Sequence, residues 1–330
     1  MHRVTGPRVV RVDPVAPSPE ALREAAAALR EGRLVAFPTE TVYGLGADAC
    51  SAAAVTAIFA AKQRPTDNPL IVHVESLAAA GQVTAWISPL ARELAARWWP
   101  GPLTLVLEAD PCVPEVTTGG LATVAVRVPA HPVALALLRA AAIPVAAPSA
   151  NRSGRPSPTT AQHVVADLGD AVDLVVDGGP CAVGLESTVV DARGDLPVIL
   201  REGAITREHL GLAGEADDGA DPDWRASPGT RYRHYAPACA VEVVATGDGV
   251  ARSLWLARQG RRAGLIGFAP AVAPAQTVAV VSDAADLAQR LYGALRDAEA
   301  ATLDVVVVEA VPEVGIGRAV MDRVRRAAAG

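Results

Sequence analysis

The sequence predicts an α/β protein, an open, twisted mixed sheet flanked by helices, followed by a second, smaller Rossmann-like domain. Three observations carry that prediction. Helix-like and strand-like segments alternate from about residue 18 to about residue 201, the pattern of a sheet covered by helices. The chain has 330 residues, too many for one ordinary core, so two domains are expected. From about Gly211 to Ala226 the composition shifts to Gly, Ala and Asp with little apolar content, and a second alternation follows, which marks a linker. The expected division is 1–210, a connecting segment 211–240, and 241–330.

Each element has a local reason. Ser18-Pro19-Glu20 supplies an N-cap, a first-turn proline and an acid, and Gly32 closes the helix. Arg33 to Pro38 reads as a buried strand. A helix from Ser51 to about Ala61, a strand Pro69 to Val74 and a helix from about Ser88 to Trp98 follow. Strands are predicted at Leu103 to Glu108 and Thr123 to Val128, a helix near Pro132 to Ala141, and a strand Ile143 to Ala147. A helix from Thr159 to Leu168 precedes short strands around Leu174, Thr188 and Val198. Val241 to Gly330 reads as strand, helix, strand, strand, helix, strand, helix. Its Gly315-Ile316-Gly317 lacks the third glycine of a dinucleotide fingerprint and is read as a tight turn.

Composition excludes several function classes. Aromatics are 4% of the chain, too few for stacking platforms that hold single strands. Net charge is −6, so stable nucleic-acid binding is not expected, although a local basic cleft is compatible with it. Cys50, Cys112, Cys181 and Cys239 are spread along the sequence with no C-x-x-C pair, which reads as reduced packing residues and no metal site. The N-terminus has no apolar h-region and apolar runs are strand-length, so a cytoplasmic protein with no membrane partner is expected.

Four constellations carry chemistry. Lys62 is the only lysine, beside 29 arginines, which suggests a place where a compact ammonium is needed and a planar fork fails. It opens Lys-Gln-Arg-Pro-Thr-Asp-Asn-Pro-Leu-Ile-Val-His, including Arg64, Asn68 and His73, a set suited to an anionic, phosphorylated ligand. Dipole complementation at a helix end is the competing account of Lys62 and Arg64, worth only about 0.3–1 kcal/mol. Pro38-Thr39-Glu40-Thr41-Val42-Tyr43-Gly44-Leu45-Gly46 reads as a pocket wall or a Ser/Thr-type turn, its glycines admitting a ligand to the backbone. Alternation puts Thr123, Ala125 and Arg127 on one strand face, with Val124, Val126 and Val128 facing the core. Arg127 is then a carboxylate clamp or half of a structural salt bridge. Finally, Ala147 to Thr159 packs Ser149, Asn151, Ser153, Ser157 and Thr159 into one loop ahead of a helix, and Gly184 to Asp191 brings Ser187 and Thr188. Such loops hold phosphates through neutral donors. No Walker A motif is present.

These motifs, Phe-Pro-Thr-Glu-Thr-Val-Tyr-Gly-Leu-Gly, Lys-x-Arg-Pro-x-Asp-Asn-Pro-Leu-Ile-Val-His, Ala-Pro-Ser-Ala-Asn-x-Ser-Gly, Glu-Ser-Thr-Val-Val-Asp and Tyr-Arg-His-Tyr-Ala-Pro, resemble those of the threonylcarbamoyl-AMP synthase family. The likeness is to its long form, a YrdC-like catalytic domain plus a C-terminal domain. It implies an enzyme that joins L-threonine, bicarbonate and ATP, with Mg²⁺ brought by the nucleotide and no dedicated protein metal site. The product would pass to a tRNA threonylcarbamoyl transferase complex. Carried over, Thr41, His73, Arg127, Ser149 and Thr188 hold threonine. Arg64, Asn68, Thr123, Asn151, Ser157, Thr159 and Arg201 hold ATP, with Tyr235 closing over it. Lys62 and Arg64 form the catalytic basic pair. The resemblance also makes Tyr232 to Tyr235 a segment that folds over nucleotide. Three positions depart from the family pattern: Glu202 for proline, Thr230 for methionine and Arg231 for lysine. Glu202 is expected to compete for Arg201.

Two other classes compete. A tRNA- or double-stranded-RNA-binding protein would use the same cleft, against the negative charge. A carbamoyl-transfer enzyme of hydrogenase maturation would carry zinc-binding cysteine motifs, which this chain lacks.

Overall fold

The computed structural model describes residues 6–212, 224–227 and 235–329. Thr230 to His234, including most of the segment expected to cover nucleotide, lie outside the described residues. Two compact units emerge. One is drawn from Met1–Ser153, Pro158–Ala182 and Glu186–Arg231, the other from Gly154–Ser157, Val183–Leu185 and Tyr232–Gly330.

The strands of the first unit are β1 (Arg8–Arg11), β2 (Val35–Phe37), β3 (Gly44–Asp48), β4 (Ile71–His73), β5 (Thr84–Trp86), β6 (Leu103–Ala109), β7 (Thr123–Arg127), β8 (Val145–Ala146), β9 (Leu174–Asp177), β10 (Thr188–Asp191) and β11 (Val198–Arg201). Among the described residues they form one mixed sheet in the order β1-β9-β2-β3-β8-β4-β7-β6-β10-β11, with β5 pairing β6. The helices are α1 (Pro19–Arg30), α2 (Ala52–Lys62), α3 (Leu77–Ala80), α4 (Pro89–Trp98), α5 (Glu115–Thr118), α6 (Pro132–Ala141) and α7 (Ala161–Leu168). Ser18, Ser51, Ser88 and Thr160 cap α1, α2, α4 and α7 by accepting a first-turn N–H, and the ring of His131 does the same for α6. One core packs α1 and α6 on Phe37, Val145 and Val176; another packs α2 on Leu45, Val72, Val124 and Val126.

The glycines after the Thr-Glu-Thr run were read as part of a pocket wall or turn that admits a ligand to the backbone. Gly44 and Gly46 belong to strand β3. A Cβ on Gly46 would lie 2.8 Å from the Phe37 ring and 2.9 Å from Val145, so that glycine serves strand packing. Gly46→Ala is therefore expected to lower stability by about 1–3 kcal/mol through overpacking, read as a drop in the urea midpoint at unchanged slope.

In the second unit β12 (Ala240–Val244), β13 (Ala263–Gly267), β14 (Gln276–Val280) and β15 (Val305–Glu309) form a parallel sheet in the order β12-β15-β13-β14, joined by α8 (Gly249–Arg258), α9 (Ala284–Ala300) and α10 (Ile316–Ala328). The element order matches the sequence reading. Gly315, at φ 54°, makes the tight turn before α10. Glu309, at the carboxyl end of β15, is buried. One of its oxygens accepts from the N–H groups of Gly247 and Gly249, at 3.1 and 2.8 Å, and the other from Phe268 N–H at 2.8 Å. Tyr235 stacks on Tyr292 with ring centroids 5.3 Å apart. Among the described residues no helix is long and apolar enough to cross a membrane.

Candidate active site

Parallel register sets His73 of β4 beside Arg127 of β7, and Ile71 beside Ala125. Val72, Val124 and Val126 pack into the α2 core, so alternation turns His73, Thr123 and Arg127 to the opposite face. All three are buried. Burial, then the Arg127 charge, push the His73 pKa down to about 3, which keeps the imidazole neutral at neutral pH.

Arg127 is held from three sides. Its Nε donates to the Gly101 carbonyl at 3.1 Å and its Nη1 to Thr41 Oγ1 at 2.8 Å. Its Nη2 lies 2.8 Å from Glu40 Oε1. Of the two alternatives left open for this residue, the salt bridge is present, to the buried carboxylate of Glu40. Thr39 fixes the turn that delivers Glu40 and Thr41, donating to the Val42 carbonyl at 2.6 Å and lying 2.8 Å from Thr41 Oγ1.

Lys62 ends α2, and Gln63 beyond it takes a left-handed conformation that stops the helix. The residue is 1% exposed, which a solvated, dipole-complementing lysine would not be. Its Nζ donates to the carbonyls of Ser149 and of Asn151, the latter at 2.6 Å, with Asn151 Oδ1 at 3.4 Å. Ser149 Oγ in turn bonds Asn151 Oδ1 at 2.5 Å. Burial, and next the Arg64 charge, push the Lys62 pKa well down, while Asp167 opposes them. A bound anion would act with Asp167 to keep the proton. Arg64 itself donates to the Pro69 carbonyl at 3.4 Å, and Asn68 is fully buried nearby in sequence.

One chain segment ties these two groups together. Ala150 N–H donates to the Tyr43 carbonyl and Leu45 N–H to the Pro148 carbonyl, both at 2.8 Å, and Gly44 bridges Ser149. Residues 41–45 therefore touch the lysine loop directly and Arg127 through Thr41.

A third group forms around Ser187. Arg201 donates to the Ser187 carbonyl at 2.9 Å and to its Oγ at 3.2 Å, and Thr104 Oγ1 lies 2.7 Å from that Oγ. Glu202 pairs with Arg207 at 2.5 Å, and the guanidinium expected to be drawn off by Glu202 reaches Ser187. Thr188 donates its hydroxyl to the Ile205 carbonyl at 2.5 Å. Ile205 belongs to the core under α4, so that hydroxyl faces away from His73 and Arg127. Thr159 Oγ1 lies 3.4 Å from His163 Nδ1. Ser157 and Tyr235 are both buried and belong to the second unit.

The sequence reading gave no role to two participants, Glu40 and Asp167, and named Ser187 only as a loop donor. Glu40 stood inside a quoted motif, between residues that were chosen. Asp167 carried no signal, being one acid on an ordinary helix.

Residues 27–203 match the Sua5_yciO_yrdC family, described as telomere recombination, and residues 202–329 match the family described as threonylcarbamoyl-AMP synthase, C-terminal domain. The chain belongs to the Sua5/YciO/YrdC family. Threonylcarbamoyl-AMP synthases from Pyrococcus abyssi and Bacillus subtilis are 45% and 42% identical to this family member over 319 and 328 residues, covering 93% and 94% of this chain and 93% of each relative. The crystal structure of P. abyssi Sua5 complexed with L-threonine has a TM-score of 0.90 at 42% identity, covering 97% of both chains. That of E. coli YciO has a TM-score of 0.56 at 25% identity and covers 62% of this chain and 99% of its own. The large mixed sheet is thus the family's shared fold, and the parallel second unit marks its long Sua5 form.

Proposed function

We propose that this Sua5-family protein makes L-threonylcarbamoyl-AMP and pyrophosphate from L-threonine, bicarbonate and ATP. The carrying observation is the linkage of a buried lysine cage to a buried arginine clamp through residues 41–45. One group suits phosphate and the other an amino-acid carboxylate. Threonine then lies along Thr41, His73 and Arg127, and ATP against Arg64, Asn68, Thr123, Asn151, Thr159 and Arg201.

The threonine amine adds to bicarbonate and loses water, giving a carbamate that is short-lived in water and needs an enclosed site. A carbamate oxygen attacks the α-phosphorus and pyrophosphate leaves. Positioning and charge stabilisation carry such a transfer. Lys62 and Arg64 supply the positive charge that meets the phosphoryl oxygens. A neutral His73 can orient substrate without repelling the ammonium. Mg²⁺ would come with the nucleotide phosphates, where it would neutralise charge. The acyl adenylate would be consumed by a transferase that modifies the tRNA adenosine next to the anticodon, in the cytoplasm.

Labelled bicarbonate tests this reading. Incorporation into an adenylate is expected only when threonine, ATP and Mg²⁺ are all present, with pyrophosphate released in equal amount. Pyrophosphate release indifferent to threonine would remove it.

A further inference from the structure

Glu40 is a buried charged group beside Arg127 that this mechanism leaves without a task. Its residue is 8% exposed. Its Oε1 lies 2.8 Å from Arg127 Nη2, yet neither Glu40 oxygen nor that nitrogen makes an aligned hydrogen bond. Arg127 therefore keeps one unfilled arm, and Glu40 two unfilled acceptors, at the same spot. Buried ion pairs are favourable only when their remaining donors and acceptors are satisfied. This one is close but incomplete, which a purely structural bridge has no reason to be.

A ligand that completes it must bring a negative group for the arginine and a positive group for the carboxylate. A zwitterionic amino acid does so; a simple carboxylic acid would set its anion against Glu40. Resting on the function proposed above, we propose that Glu40 receives the substrate ammonium and takes its proton, freeing the amine for attack. Glu40 carboxylate plus R–NH₃⁺ gives Glu40 carboxylic acid plus R–NH₂. The amine lone pair then forms the N–C bond to bicarbonate and water departs, leaving R–NH–COO⁻; the proton on Glu40 later returns to solvent.

The groups facing Glu40 leave a clear window for testing this. Arg127 on β7 faces it with its guanidinium. His131 at the start of α6 interacts with Glu40 and is held below its usual range by burial, and His73 on β4, beside Arg127, lies near 3. Cys181, in the loop after β9, is pushed up by burial. Neither histidine nor Cys181 is shifted into the range between about pH 7 and about pH 9, over which the deprotonated share of a free amino acid's amine rises steeply.

The experiment compares Glu40→Gln with the unaltered protein by pyrophosphate release, as kcat/KM for threonine, across that pH window. At pH 7 the variant is expected to lose about 100-fold. As a growing share of threonine arrives deprotonated towards pH 9, the ratio should recover to within about tenfold, and taking a ratio cancels titrations elsewhere, Lys62 included. Binding gives a second readout: unaltered protein should prefer L-threonine strongly over 3-hydroxybutyrate, which lacks the ammonium, and Glu40→Gln should erase most of that preference. Glu40→Asp, which keeps the charge, should retain it, and carries the binding test if the glutamine variant does not fold. A pH-independent loss with the preference intact would show that Glu40 only steadies Arg127 and would overturn the proposal. Unaltered protein with no threonine-dependent release would instead overturn the function itself, while the binding comparison would still report on Glu40.

Discussion

Lys62→Arg is expected to reduce threonine- and bicarbonate-dependent pyrophosphate release by about 10²–10³-fold, although the charge is conserved. Nζ sits among the carbonyls of Ser149 and Asn151 and the Asn151 amide oxygen. A three-donor ammonium matches that arrangement, whereas a planar guanidinium is larger, presents five donors in a fixed fork and would push the loop aside. Asn151 and Ser149 are themselves assigned to the two substrates, so displacing them spoils position at the reacting phosphate even though the charge remains. Losing a single preorganised stabilising donor costs about 10²–10³ in kcat, or roughly 3–4 kcal/mol. Lys62→Met should lose at least as much and, by leaving two buried carbonyls without a donor, should also lower stability by about 1–3 kcal/mol. Steady-state assays paired with thermal melts separate the two effects. Lys62→Arg within tenfold of the unaltered protein would remove Lys62 from the phosphate.

Arg127→Lys should raise the KM for threonine by about 100-fold or more while changing the KM for ATP only a few-fold. The guanidinium reaches Gly101, Thr41 and Glu40 with three different nitrogens, and an ammonium cannot span them. Disrupting one partner of a buried pair costs about 3–5 kcal/mol, and each 1.4 kcal/mol is about tenfold in affinity. Part of that loss will fall on folding, because Glu40 is left in place. Threonine titrations at saturating ATP, compared with ATP titrations at saturating threonine, assign the remainder. Equal effects on both constants would mean that Arg127 is a general structural strut.

Much of this architecture could be read from local signals, and the exceptions have physical causes. Helix α6 runs from Pro132 to Ala141 as predicted, because a first-turn proline and a dense Leu/Ala face leave little choice. The order of elements in the second unit followed from alternation alone. Strand β3 was hidden because Gly-Leu-Gly-Ala-Asp has the composition of a turn; its glycines are there to let Phe37 and Val145 close over it. Strands β1 and β5 are mostly exposed, so neither shows the buried pattern used to find the others. At the site, the residues of the Lys62 and Arg127 groups stood out by chemical type. Glu40 did not, because an acid beside an expected anion site looks misplaced until Arg127 is seen next to it. Thr188 illustrates the reverse, a residue with suitable chemistry whose strand parity turns its hydroxyl towards Ile205.

Glu309 has a consequence for the second half of the chain. It stands where strands β12, β15 and β13 end, the place where parallel sheets of this layout commonly receive a nucleotide phosphate, and it consumes the N–H groups of Gly247, Gly249 and Phe268. A covalently tethered competitor works at an effective concentration on the order of millimolar or above, so a free phosphate arriving there meets a rival that never diffuses away.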